Sequence, residues 1–174
     1  MYGTDNTYNV KTHEHQQRII PGIRFTCTGV LTKWIIGAQR TMTQTTNHLQ
    51  LQIWRQRSQT DDTFDRVNFS DLTDLNATRV LNVYEYVPNP PLQFQANDLL
   101  GLFQPRSTDT LVYYQEGGGP QNYARFNQDS ALSNFTRSGG GVDRDVSLVA
   151  VEINSKTYQL QHFITVYYIL LSFI

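Results

Sequence analysis

Between Pro21 and Ala38 (PGIRFTCTGVLTKWIIGA) the alternation of apolar and polar residues changes phase. Ile23, Phe25 and Cys27 alternate with Arg24 and Thr26, the two-residue period of a half-buried strand. Val30, Trp34, Ile36 and Ala38 then occupy even positions. A one-residue slip turns every side chain to the opposite face, so an unbroken strand needs a bulge here. A two-residue turn at Thr28-Gly29 meets the same need and makes a β-hairpin, with Gly29 free to take positive φ. The hairpin is the preferred reading. Thr28 is a poorer turn residue than Asn or Asp, which keeps a bulge at Gly29 open.

The same period recurs downstream. Leu49, Leu51 and Ile53 lie on one side of a strand over 48–56, with Gln50, Gln52 and Trp54 on the other. Outward Gln and Arg suggest an antiparallel sheet with one face in water. From Ser58 to Thr78 the chain is acidic and turn-rich, with a short strand expected at Phe64–Phe69. Arg79–Val87 is rich in β-branched and aromatic residues and reads as a strand. It is stopped by Pro88-Asn89-Pro90-Pro91, because proline cannot donate to a ladder. Leu92, Phe94 and Ala96 alternate again, Asn97-Asp98 marks a turn, and Leu99–Phe103 reads as a buried strand. Leu111–Gln115, Tyr123–Phe126 and Val146–Ile153 complete the set. No window carries a capped helical stripe. The pattern predicts an all-β fold, an antiparallel β-sandwich or jelly roll of about 8–10 strands.

Three regions follow from this reading: a loose polar arm over 1–18, the β-sandwich domain over 19–153, and an apolar tail over 154–174. The arm has no apolar h-region and does not read as a signal peptide. The tail ends in FITVYYILLSFI, shorter than the roughly 20 residues a membrane span needs. It reads as a final strand, a truncated span or a non-native extension, so membrane attachment is expected only through a missing or truncated C-terminal span.

Composition narrows the chemistry. Lys+Arg number 14 against 15 Asp+Glu, a net charge of −1, without the clustered basic excess of a nucleic-acid binder. Charged residues are only 17% of the chain, a look common among extracellular β domains. His13-Glu14-His15 places two imidazoles at a metal-gripping spacing, but no third ligand is recognisable and no zinc signature matches. The acidic residues of 58–78 do not fit a calcium loop. The glycine runs Gly117–Gly119 and Gly139–Gly141 lack both the P-loop Lys-Ser/Thr and the dinucleotide fingerprint. No nucleophile elbow is present. No cofactor, metal site or catalytic residue is expected, and the chain is not read as an enzyme.

Three kinds of side chain are left as candidates. Asn68, Asn76 and Asn134 each open an N-x-S/T triplet, the acceptor pattern for N-glycosylation. Cys27 is the lone cysteine and reads either as a small buried side chain or as a half-cystine with a partner outside this chain. Trp54, opposite Leu51 and Ile53, is a candidate for stacking on a sugar ring.

The blocks IPGIRFTCTGVLTKWIIGA (20–38), LQIWR (51–55), NPPLQFQANDLLGLFQP (89–105) and LVAVEI (148–153) together resemble an uncharacterised extracellular β-domain. That domain occurs in secreted and receptor-like proteins of early-branching animals. The likeness spans about residues 19–153. Thr28 and Asn97 depart from it, standing where Asp or Asn, and Gly, are more typical. The resemblance implies an ectodomain module with no known activity and no catalytic residues to carry over. It also strengthens the half-cystine reading of Cys27, because the upstream portion often carries cysteines. The expectation is a non-catalytic extracellular or cell-surface module of an adhesion or receptor-like protein, binding an extracellular protein or glycan. The alternative is a carbohydrate-binding jelly roll.

Overall fold

The computed structural model describes residues 15–41, 47–58, 60–115, 119, 121–137, 141–147, 149–155 and 163–164. His13 and Glu14, most of the two glycine runs and the tail beyond Ile164 lie outside them. Strands follow one another as β1 (Gln16–Arg24), β2 (Gly29–Arg40), β3 (Gln50–Gln56), β4 (Thr63–Asp71), β5 (Asn76–Ala77), β6 (Val83–Tyr86), β7 (Leu92–Phe94) and β8 (Leu99–Gln104). Then come β9 (Thr110–Val112), β10 (Tyr114–Gln115), β11 (Asn122–Arg125), β12 (Asn134–Thr136), β13 (Gly141–Asp143), β14 (Val146–Ser147), β15 (Val149–Ser155) and β16 (Phe163–Ile164). The fold is all β. One sheet runs β12-β4-β3-β8-β1-β11-β13; the second runs β16-β15-β2-β6-β5, with β7 and β9 also paired to β2. β10 and β14 form a separate two-stranded ribbon, and the pairings of both sheets are antiparallel.

The main core fills the space between the sheets. Ile20, Leu49, Leu51, Ile53, Leu100 and Leu102 come from one side, and Leu31, Trp34, Ile36, Phe94, Val149, Val151 and Ile153 from the other. A second, smaller core lies on the opposite face of the first sheet, where Ile19, Trp54, Phe64, Leu99 and Phe135 meet Tyr123 and Leu132. In a flat sheet β4 and β11, four strand spacings apart, would be separated by about 19 Å. The rings of Phe64 and Tyr123 are instead 5.7 Å apart. The first sheet is therefore rolled around the smaller core, and Arg125 Nη2 closes the roll by donating to the Thr136 carbonyl at 3.0 Å.

This geometry corrects several expectations. Pro21–Ala38 does form two strands, but not a hairpin: β1 pairs with β8 and β11, whereas β2 pairs with β15, β6, β7 and β9. The phase change marks a crossing between sheets. Phe25 leads the crossing, its amide donating to the Asp98 carbonyl at 2.9 Å and its carbonyl accepting from the Asn97 amide at 2.8 Å. Gly29 is needed for close approach, since a Cβ there would lie 2.4 Å from the Asn154 carbonyl of β15.

Gln52 and Trp54, expected in water, are both 0% exposed because the rolled sheet covers its second face. Gln16, Gln17 and Arg18, placed in the polar arm by sequence, are buried in β1. The Arg79–Val87 strand shortens to Val83–Tyr86, with Leu81 and Asn82 in a turn where Asn82 takes a φ of 60°. Conversely the acidic stretch carries a full strand, β4, rather than a short one. Leu111–Gln115 divides at Tyr113 into β9 and β10, which have different partners.

Candidate functional site

At one side of the sandwich the two sheets part around a cleft of about 290 Å³. Its walls are Arg55 of β3 and Val67 and Asn68 of β4 from the first sheet. The second sheet supplies Thr28, Gly29 and Val30 at the start of β2 and Gln93, Phe94 and Gln95 at β7. The sequence places these residues far apart. They converge because the β1-β2 crossing and the β7-β8 turn are tied together through Phe25, Asn97 and Asp98.

Asp98 organises the inner end. It is buried, and its carboxylate takes Arg55 Nε at 2.8 Å and Nη2 at 2.9 Å. Oδ2 also accepts from the Gln95 amide, three residues earlier in the chain, at 2.7 Å, which fixes the β7-β8 turn. The hydrogen bonds that Arg55 donates to Asp98 outweigh the effect of burial and raise the Arg55 pKa above its ordinary value, so the guanidinium stays charged. Arg55 is 39% exposed, and its Nη1 is not used by Asp98. A fork engaged on one side keeps donors for a second acceptor.

Asn68 bridges the sheets. Its Nδ2 donates to the Gln93 carbonyl at 2.7 Å, leaving its Oδ1 to accept. Thr28 Oγ1 accepts from the Ala96 amide at 3.3 Å. The side chains of Gln93 and Gln95 are exposed. Val30 and Val67 supply apolar surface over the buried Phe94, which stacks on Phe25 at 4.0 Å between centroids. Arg55 is the one titratable residue of the lining, and its charge is balanced by Asp98. Such a surface offers directional donors and acceptors to an uncharged polar group. Thr28 is the one hydroxyl of the lining.

The residues singled out from sequence are scattered. Asn68 lies in the cleft, while Asn76 and Asn134 are exposed on β5 and β12. Cys27 is half-buried against the main core at the crossing, one residue from the cleft. Trp54 has no accessible ring face; it packs edge-on to Phe135 at 6.4 Å, and its Nε1 donates to Gln52 at 3.0 Å. The stacking role expected of it has no surface to act through. His15 Nδ1 lies 3.5 Å from Asp129. Among the described residues no group of three or more His, Cys, Asp or Glu side chains is arranged to hold a metal ion.

Sequence reading missed Arg55, Gln93, Gln95 and the role of Asp98. The available signal was Asn97-Asp98, recognised as a turn but not as the anchor of an arginine on the neighbouring strand β3. No family model, no curated protein and no solved structure matches the chain.

Proposed function

We propose that the chain is a non-catalytic binding module of a secreted or membrane-anchored adhesion or receptor-like protein, and that the cleft between its sheets is where it binds. One observation carries this: the cleft is lined by amides, a hydroxyl and a charge-balanced guanidinium over an apolar floor. Small-molecule sites are typically concave, mostly apolar and fitted with a few fixed polar groups. The near-neutral charge of the chain, and the blocks that resemble an extracellular β-domain, support the extracellular setting.

A second reading, a carbohydrate-binding module, is favoured by the same lining. Planar amides and a guanidinium suit the hydroxyls of a neutral sugar unit, and Val30 and Val67 suit its C–H face. In this reading Asn68, Gln93 and Gln95 take the part that sequence had given to Trp54.

Both readings are tested by probing the purified chain against a glycan array and a panel of extracellular proteins, alongside Gln93→Ala/Gln95→Ala. These two side chains are exposed, so the variant should fold normally. Its binding should weaken about tenfold or more through lost hydrogen bonds. Unchanged binding by the variant would remove the cleft from the account. Binding to proteins but not to glycans would remove the second reading alone.

A further inference from the structure

We propose that Asn76 and Asn134, and not Asn68, carry N-linked glycans, and that each glycan shields an open sheet edge. The proposal rests on the extracellular reading above. It starts from where the three acceptors stand. Asn76 is on β5, the last strand of the second sheet, and Asn134 is on β12, the last strand of the first. Both are exposed, and neither side-chain amide has a hydrogen-bond partner among the described residues. Asn134 and Thr136 flank the buried Phe135, so strand alternation turns Asn134 away from the smaller core.

Edge strands expose unpaired N–H and C=O groups that template pairing with another chain, and proteins guard them by keeping them short, as β5 and β12 are, and also with Lys, Pro or a covering group. β5 is Asn-Ala and β12 is Asn-Phe-Thr, so neither carries Lys or Pro, and Arg125 Nη2 engages the Thr136 carbonyl of β12 but leaves the Asn134 end of that strand to be covered. A bulky, hydrated glycan at each would do that work.

Asn68 is different. It sits within β4 facing the cleft, and its Nδ2 holds the Gln93 carbonyl at 2.7 Å. A sugar on that nitrogen would fill the cleft and push the two walls apart. Transfer takes place on the unfolded chain: Asn Nδ2 loses one proton and bonds to the anomeric carbon of an oligosaccharide. The bond from that carbon to a lipid diphosphate breaks, and the diphosphate leaves with the electron pair. The fold then decides which modified chains reach the native state.

The test is expression of the full chain in a eukaryotic secretory pathway, with folded monomer purified from medium and membrane fractions. Glycosidase release in heavy-oxygen water converts each glycosylated Asn to labelled Asp. Label is expected at 76 and 134 and not at 68. Enzymatic deglycosylation of the folded protein, and separately Asn76→Gln/Asn134→Gln, should then lower the concentration at which the chain self-associates in sedimentation by about tenfold or more. Absence of label at both 76 and 134, or a deglycosylated protein that stays monomeric, overturns the proposal. Label at 68 in folded protein overturns the assignment of that residue and the cleft reading with it, while leaving the two edge sites to stand on their own data.

Discussion

Arg55 and Asp98 meet in two parallel contacts, Nε to Oδ1 at 2.8 Å and Nη2 to Oδ2 at 2.9 Å, at the inner end of the inter-sheet cleft. The pair is asymmetric: the carboxylate is 1% exposed, the guanidinium 39%. Removing the arginine strands a buried charge, whereas removing the carboxylate frees a guanidinium that already reaches water. Arg55→Ala should therefore cost about 3 kcal/mol, the range for breaking a buried pair from one side. Adding Asp98→Asn to that variant should return part of the loss, because the stranded charge is gone. Urea unfolding of the three proteins checks this, and a double variant less stable than Arg55→Ala would contradict it. The exposed Arg57–Asp65 pair, also bidentate at 2.8 Å, is the control: Arg57→Ala should be nearly silent.

A second test concerns a line of glutamines under the rolled sheet. Gln17 Nε2 donates to Gln52 Oε1 and to the Leu102 carbonyl, and Trp54 Nε1 donates to the same Gln52 oxygen. Gln52 passes the chain on to Gln50, which also receives Arg66 and donates to Asp71. Gln17 Oε1 is buried without a partner among the described residues. Gln52→Leu leaves the Trp54 N–H unpaired and weakens the hold on Gln17, so a loss of about 2–3 kcal/mol is expected. Gln17→Leu removes an unsatisfied oxygen along with its donor, and should cost about 1 kcal/mol or less. Equal losses for the two variants in thermal or urea unfolding would refute the asymmetry.

These two sites show where local pattern stops being informative. The strands at Leu99–Phe103 and Leu51–Ile53 were readable because their apolar residues recur at the period of the sheet. The break in phase before Val30 was equally visible. Its meaning was not, because a hairpin turn and a crossing between sheets leave the same one-residue slip. Trp54 and Gln52 were misplaced for a different reason. Their alternation correctly put them on the face opposite Leu51 and Ile53, but only the rolling of the sheet, a contact between β4 and β11, makes that face a second core. The cleft is wholly tertiary. Arg55, Asn68 and Gln93 share no spacing that a scan of the chain would register.

Gly101 tests how tightly that second face is packed. A Cβ there would stand 2.6 Å from the Arg18 carbonyl and 2.6 Å from the Trp54 ring. One obstacle is backbone in β1, and the other is a fully buried indole held by Gln52. Neither can move aside cheaply. Gly101→Ala should destabilise by roughly 1–3 kcal/mol through overpacking, despite the better strand propensity of alanine. Tryptophan emission should shift as Trp54 is displaced. An unchanged midpoint and spectrum would show the roll to be looser than drawn.

The outer face of the second sheet offers a pH-dependent test. Lys33 of β2 places its ammonium 3.3 Å from Glu85 of β6 and 3.3 Å from Glu152 of β15, joining three neighbouring strands. Burial on its own would lower the Lys33 pKa. The hydrogen bonds and charges of Glu152 and Glu85 together outweigh it and raise the value above 10.5. A folded pKa above the unfolded one means that the contribution is fully present below about pH 10.5 and fades as pH rises through the folded value. The side chain is 27% exposed, so solvent screening keeps the contribution at about 1 kcal/mol or less. The stability difference between wild type and Lys33→Met should hold steady from pH 7 to pH 9 in urea unfolding and shrink by pH 11. It should also fall with added salt, since partly exposed charges are screened within about 10 Å at 0.1 M. A difference that stays the same at pH 11 would mean that Lys33 acts through its methylene stem against the sheet, and not through the two carboxylates.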